Sequence, residues 1–378
     1  MTAPRVQIDL AKLEHNARTL VARLASVGIS VTGVTKATLG SPDVAGALWR
    51  AGVAGLGDSR IENIEAMRRA GVSGPMTLIR SPMPSQVGRV VASADVSFNT
   101  EPDVIEQLSG AAGERRLTHG IVLMVELGDL REGIMPSDVE TVARHVLGQP
   151  HLVLRGIGAN LACQNGVVPD ASNMAELSAL ADSLEATLGV SFDIVSGGNS
   201  GNLAWALRDA DDGVGRRGDR GAEHGDGGGA GVGRINDLRL GESILLGREP
   251  LHRQPIDGLH GDVFTLVAEV IESKVKPSQP WGSLGQSAFD NAPPPVDRGD
   301  IRQAILAIGH QDADPAGLVA PPGVEILGAS SDHLVVAAGR VHLRVGAELT
   351  FGLNYSALVR AMTSPFVAKV VTSGPTGA

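Results

Sequence analysis

From residue 29 to about 247, short aliphatic and β-branched runs alternate with stretches whose apolar positions recur at helical spacing. The runs are ISVTGVT (29–35), VAGLG (53–57), PMTLI (75–79), DVSFN (95–99), IVLMVEL (121–127), LVLRGIGAN (152–160), FDIVS (192–196) and DLRLG (237–241). Amphipathic segments such as PDVAGALWRAG and ASNMAELSALADSLEATLG lie between them. Strict alternation of strand and helix predicts a parallel sheet covered by helices, and eight strands predict closure into a TIM-like (β/α)8 barrel over 8–247. No GxGxxG follows the first run, which speaks against an open dinucleotide-binding sheet.

Two stretches break the period. Residues 209–234 are rich in Gly and Asp and lack apolar anchors, so they read as a flexible surface insertion. From 248 the segments DVFTLVAEVIESKVK, RQAILAIG, VEILGA, HLVVAAG, VHLRVGAEL and FVAKVV alternate apolar with polar between Gly, Pro and Asp. That texture predicts a β-rich C-terminal domain over 248–378, with 281–298 a long loop inside it.

The 378 residues are 43% hydrophobic and 20% charged, an ordinary globular composition. No apolar run approaches the ~20 residues that span a bilayer. The start MTAPRVQIDLAK has no apolar signal region, so the cytoplasm is the expected compartment and no membrane partner is expected. A net charge of -10 argues against bulk nucleic-acid binding. One cysteine, Cys163, excludes an internal disulfide and a cysteine-based zinc cluster, and reads as a packed thiol. No metal site is expected. There are only five lysines, Lys12, Lys36, Lys274, Lys276 and Lys369, which draws attention to each.

Barrel active sites form at the C-terminal ends of the strands. The first run ends in Lys36, the fifth leads into Asp129, Arg131 and Glu132, and the sixth ends at Asn160. The seventh ends in Ser196, Gly197, Gly198, Asn199 and Ser200, and the eighth carries Arg239. Lys36 follows an apolar strand, so its stem is expected to be buried; a desolvated lysine can form a Schiff base. SGGNS before NLAWAL offers backbone N–H groups as an anion nest, in the loop where barrels often bind phosphate. A lysine opposite a phosphate cradle describes a site for pyridoxal 5'-phosphate (PLP).

The ordered motifs VTK, GDSRIENI, GDLREG, SGGNS, INDLRLGESILLGRE, SSDH and LNYSAL resemble the alanine racemase-like, fold-type III PLP enzymes. They are most similar to the branch that acts on ornithine or lysine, and the resemblance covers nearly the whole chain outside 209–234. It implies that Lys36 binds PLP covalently and that Arg239 faces the ring nitrogen, where a guanidinium that keeps its proton disfavours protonation of the ring. It places Gly197, Gly198, Asn199 and Ser200 at the phosphate, joined by Tyr355 from the second domain, and counts Ser196 among the cofactor-binding residues. Asn160 lies near the cofactor face, and Arg131 positions the substrate carboxylate. Residues 1–7 join the β domain, and a homodimer shares its active sites between subunits.

Racemisation needs a base on each face of Cα. Lys36 serves one face. Ile308-Gly309-His310-Gln311-Asp312 aligns with the family's GYADG segment, which makes His310, from the neighbouring subunit, the second base; imidazole titrates near neutrality. Met124 takes the place of a carbamylated lysine. Ser330 and Ser331 replace a Cys-Met pair, and Ser331 and Asp332 are assigned to substrate. Asp129, Glu132, Asp312, Asp314 and Asp332 are expected near the mouth, where a carboxylate pair would hold the terminal ammonium of ornithine or lysine. The implied activity is racemisation of a small basic amino acid, ornithine before lysine. Its rivals are alanine or broad-specificity racemisation, a PLP-binding carrier with little catalysis, and a metal-dependent D-amino acid aldolase. The second domain with Tyr355 and His310 argues against the carrier, and the lack of a His/Cys metal pair near the C-terminus argues against the aldolase.

Overall fold

The computed structural model describes residues 2–208, 231–286, 288–289, 296–339, 341 and 343–372. They belong to two compact units, one formed by Leu13–Lys36 with Gly40–Leu259 and the other by Met1–Lys12, Ala37–Leu39 and His260–Ala378.

Strand β1 (Arg5–Asp9) opens the chain, and the next eight strands form the first unit's barrel. They are β2 (Ser30–Val34), β3 (Gly55–Asp58), β4 (Met76–Leu78), β5 (Val96–Asn99), β6 (His119–Val125), β7 (Leu152–Ala159), β8 (Ile194–Asn199) and β9 (Asp237–Leu240). Neighbours pair in parallel, and β9 closes on β2. Each predicted run overlaps one of these strands, though β3, β6 and β8 extend past theirs. All seven positions of β6 are buried, as a strand walled by a barrel interior on one face and helices on the other requires. The first covering helix after β2, Pro42–Arg50, starts under the Ser41 side chain, which accepts the Val44 N–H, and has Pro at its first turn. Ala171–Leu188 begins with a capping box between Asp170 and Asn173 and stops at Gly189, whose φ of 68 is left-handed.

Within the predicted insertion, 209–230 lie outside the described residues. Its last residues are anchored rather than loose: Arg234 pairs with Asp182 and with Glu185 at 2.8 Å, and its N–H donates to Ser178 Oγ at 3.1 Å.

The second unit is a sheet in the order β12-β15-β10-β11-β14-β13, formed by β10 (Phe264–Pro277), β11 (Asp300–Leu306), β12 (Leu318–Val319), β13 (Glu325–Ala329), β14 (Leu334–Ala337) and β15 (Glu348–Leu353). β1 adds to β10 antiparallel and to β16 (Ala368–Thr372) in parallel. The division falls at His260 rather than 248. Residues after 247 stay with the barrel because the Glu249 carboxylate accepts the N–H groups of Leu251, His252 and Gln254, and the His15 ring bonds the Gly258 carbonyl at 2.9 Å. The alternation in VHLRVGAEL does not make a strand over its described length, and β15 starts only at Glu348. Gly346, at φ 86, and the bond from Ala347 N–H to Arg344 C=O turn the chain first.

His119, at the N-terminal end of β6, is 1% exposed and bonds Ser97 Oγ through Nε2 at 2.8 Å. Ser97 Oγ accepts from Asn99 Nδ2 at 3.0 Å, which leaves its proton for the ring. Burial lowers the His119 pKa from 6.5 to about 4. The unfolded chain therefore binds this proton more readily, so stability is intact above about 6.5 and declines as pH falls toward 4. Chemical denaturation between pH 4 and 7 should show that slope, and His119→Gln should flatten it; an unchanged slope in the variant would place the titrating group elsewhere.

Candidate functional site

The C-terminal end of the barrel is organised around Arg239 on β9. The residue is 5% exposed. Its Nη1 donates to Ser196 Oγ, and its Nη2 donates to Ala159 C=O at 2.7 Å and reaches Asn160 Oδ1 at 3.4 Å. Ser196 donates in turn to Asp237, whose other oxygen accepts from Thr32 Oγ1 at 2.7 Å. The guanidinium also lies 4.9 Å from the Phe98 ring, within an apolar cluster that holds Met124. Burial pushes the Arg239 pKa down, and Asp237 opposes it.

Asn160 completes this arrangement. Its Oδ1 accepts from Asn199 Nδ2 at 3.1 Å, while its Nδ2 is buried with no partner among the described residues. An amide donor left unpaired next to a buried cation is costly without an acceptor, and it marks a place for one.

The SGGNS segment is more strand than loop. Gly197, Gly198 and Asn199 belong to β8, a 3-10 turn spans Ser200–Asn202, and the helix after it is only Leu203–Ala206. The glycines answer packing: a Cβ on Gly198, at φ 148, would meet Asn202 Oδ1 at 2.2 Å, and one on Gly197 would meet Ile235 at 2.7 Å. One of the segment's N–H groups, that of Asn199, is already used by Asn202 Oδ1, and just beyond the segment Gly201 N–H donates to Asn199 Oδ1. Ser200 Oγ sits 3.0 Å from Ser243 Oγ, so a hydroxyl pair stands at this edge.

Lys36 begins a 3-10 turn directly after β2 and is exposed, not stem-buried as the apolar run before it suggests. The turn lifts it off the strand: Thr35 is held back by bonds to Gly57 C=O and to Asp58 Oδ2 at 2.8 Å. Asp58 in GDSRIENI thus anchors the strand end, also accepting from Arg60 N–H and Asn63 Nδ2. Burial pushes its carboxyl up.

Most of the expected acidic residues are occupied. Asp129 is 1% exposed and accepts the N–H groups of Cys163, Gln164, Asn165 and Val167. Burial raises its pKa, but these four donors outweigh it and the net shift is downward. Glu132 pairs with Arg131. Cys163 is exposed rather than packed, because Asp129 holds its loop by the backbone; its Sγ accepts from Asn199 Nδ2 at 3.4 Å.

In the second unit, His310, Ser331 and Asp332 come together. His310 N–H donates to Ser330 C=O and Gln311 N–H to Ser331 C=O, both at 2.9 Å. The His310 ring stacks on Phe289 at 4.4 Å, and its Nε2 is buried with no partner among the described residues. Asp332 pairs with His333 at 2.8 Å, and that bond lowers its pKa. Asp312 is 7% exposed and accepts from Ser364 Oγ at 3.0 Å, while Asp314 accepts the Ala316 N–H. Tyr355 is half-buried at the start of the helix Tyr355–Thr363, which the Asn354 side chain caps.

Comparison with known proteins decides the family. The profile for "Alanine racemase, N-terminal domain" matches residues 8–216. The chain belongs to the alanine racemase N-terminal domain family. It is 39% identical to the lysine racemase of Thermotoga maritima, over 98% of this chain and 99% of that protein. It is 36% identical to the ornithine racemase of Acetoanaerobium sticklandii, over 97% and 99%. Among solved structures, alanine racemase from Streptomyces lavendulae superposes with a TM-score of 0.74 at 19% identity, covering 99% of this chain and 98% of that one. D-threonine aldolase from Filomicrobium marinum superposes at 0.70 and 16% identity, covering 96% and 89%.

The alanine racemase-like barrel carries one residue that sequence reasoning passed over. Glu242 starts the helix after β9, and burial raises its carboxyl pKa while Arg253 and Lys36 oppose that shift. It stands in the quoted motif LRLGESILLG, but its meaning depends on which strand lies beside β9. Among the described residues, no group of three or more His, Cys, Asp or Glu side chains is placed to hold a metal, and no helix is long and apolar enough to cross a membrane.

The Asp129 clamp can be tested directly. Asp129→Asn should lower stability by about 2 kcal/mol, within the range for hydrogen bonds to a charged group. Amide exchange at Gln164 and Asn165 should speed up in the variant, and unchanged exchange there would show that the carboxylate is not what holds the loop.

Proposed function

We propose that this chain is a PLP-dependent racemase of basic amino acids, ornithine first and lysine second, acting as a homodimer. The observation that carries the reading is the match along nearly the full chain to relatives named for lysine and ornithine. The barrel end supports it, with an exposed strand-end amine, a buried guanidinium and an unpaired amide donor in one unit.

These groups fit PLP. Lys36 would hold the cofactor, Arg239, steadied by Ser196, and Asn160 would face its ring, and Gly197, Gly198, Asn199 and Ser200 with Tyr355 would hold its phosphate. PLP supplies an electron sink that acidifies the α-proton of an amino acid joined to it. The chain's own side chains do the rest. Lys36 Nζ takes or returns the proton on one face of Cα, and His310 Nε2 of a second subunit serves the other face. Arg239 keeps its proton because Ser196 and Ala159 C=O accept from it, so the ring nitrogen receives none. Arg131, released from Glu132, holds the substrate carboxylate, and Ser331 with Asp332 lies beside His310.

A panel of L-amino acids incubated with PLP-loaded protein and resolved by chiral chromatography should show racemisation of ornithine and lysine. Borohydride reduction should fix the cofactor on Lys36, and Lys36→Ala should abolish turnover while the protein stays folded. A cofactor fixed on Lys274 or Lys276 would overturn the assignment. The dimer has its own test. Lys36→Ala and His310→Ala should each be nearly inactive alone, and mixed, refolded heterodimers should regain one intact site. Absence of rescue would remove His310 from the partner's site.

A further inference from the structure

We propose that Glu242 is the specificity-determining carboxylate for the basic side chain, accepting the terminal ammonium of ornithine or lysine at the barrel end that carries Lys36. The inference rests on the racemase reading and names the residue that selects its substrate.

Register puts the two residues on neighbouring strand ends. β2 and β9 pair with Thr32 opposite Arg239 and Gly33 opposite Leu240. The contact persists one residue further, since a Cβ on Gly241 would lie 3.2 Å from Val34 Cβ. Thr35-Lys36 and Glu242 therefore leave the barrel side by side. Arg253 and Lys36 both favour the ionised form of Glu242, against the burial that raises its pKa.

Elimination points the same way. Asp129 is consumed by four backbone N–H groups and Glu132 by Arg131. Glu126 accepts from the N–H groups of Gly128 and Leu130, and Glu249 from those of its own loop. Glu242 accepts no hydrogen bond from a described residue, and it is half-buried. A carboxylate that has lost part of its hydration without gaining donors is ready for an ammonium, whose three donors and charge restore what burial removed. An apolar side chain that lacks the amine would leave it unpaired, so the same group that attracts ornithine rejects norvaline.

The test compares holoenzyme, Glu242→Gln and Glu242→Asp on ornithine, lysine, norvaline and norleucine, with thermal shifts on adding ornithine or norvaline as a readout separate from turnover. Glu242→Gln should raise KM for ornithine and lysine by roughly tenfold or more, about 1.4 kcal/mol, and erase the ornithine-induced thermal shift. Norvaline and norleucine should be turned over at least as well by Glu242→Gln as by the wild type, because the unpaired carboxylate that rejects them is gone, and Glu242→Asp should recover part of the ornithine affinity. An equal fall in kcat for all four substrates would mean that Glu242 serves Lys36 rather than the side chain, and would overturn the proposal. So would a variant that keeps the wild-type preference. A wild-type enzyme with no preference for ornithine or lysine over norvaline or norleucine, which lack the terminal amine, would instead sink the substrate reading, and this proposal with it.

Discussion

A guanidinium inside a barrel loses its hydration at a cost of several kcal/mol, and removing a partner from such a buried charge typically costs about 3–5 kcal/mol more. Arg239 meets that constraint with groups from strands all around the barrel. β8 supplies Ser196, the end of β7 supplies Ala159 C=O, and β5 supplies the face of Phe98. Asp237, two residues earlier on β9 and so on the same face, balances the charge through Ser196 and is itself held by Thr32 on β2. Compensation of one cation thus ties five of the eight strands together at the end where the candidate chemistry lies. Gly158 belongs to the same solution: a Cβ there would sit 3.1 Å from Ser196 Cβ and press on the residue that accepts from the guanidinium. The orientation of Asn160, and hence its unpaired Nδ2, follows because Arg239 and Asn199 both claim its Oδ1.

The second unit solves a different problem, which is to hold residues far apart in sequence at one place. Gly309 is what permits it. A Cβ there would lie 2.4 Å from Asp332 N, so only glycine lets the segment around His310 rest on 330–332. The two backbone bonds that result set His310 beside Ser331 without using either side chain. The imidazole stacks on Phe289, and its Nε2 has no partner among the described residues. The proposed role of proton carrier would use that combination, a stacked ring and a nitrogen left open.

The eight barrel strands were legible because a strand buried on both faces must be written as an unbroken apolar run. The same runs mark the strand ends, where the structure brings Asn160, Ser196 and Arg239 together and leaves Lys36 exposed after β2. Side-chain commitments were not legible. Nothing in GDLREG shows that Asp129 will spend its carboxylate on a loop more than thirty positions away, because backbone N–H groups leave no mark in a sequence. Glu242 was hidden for the complementary reason: its interest comes from β2 lying beside β9, a closure contact between the first and last strands of the barrel. In the antiparallel sheet, alternation over VHLRVGAEL was overridden by a turn at Gly346, where backbone geometry outranks the hydrophobic period.

The fold does not choose the reaction. An aldolase superposes on this chain almost as well as an alanine racemase does, 0.70 against 0.74, so the barrel and sheet are common ground for different chemistries. What separates them must be side chains that the shared backbone leaves open. In the proposed reading Arg239 is one: a guanidinium whose hydrogens go to Ser196 and to Ala159 C=O would give a facing ring nitrogen no proton to share. That restraint would discourage extended delocalisation of charge and favour simple return of a proton to Cα. A group that could give up its proton in the same place would leave the backbone unchanged and widen the range of outcomes. On that reading the reaction would be narrowed by a buried cation that groups from around the barrel compensate.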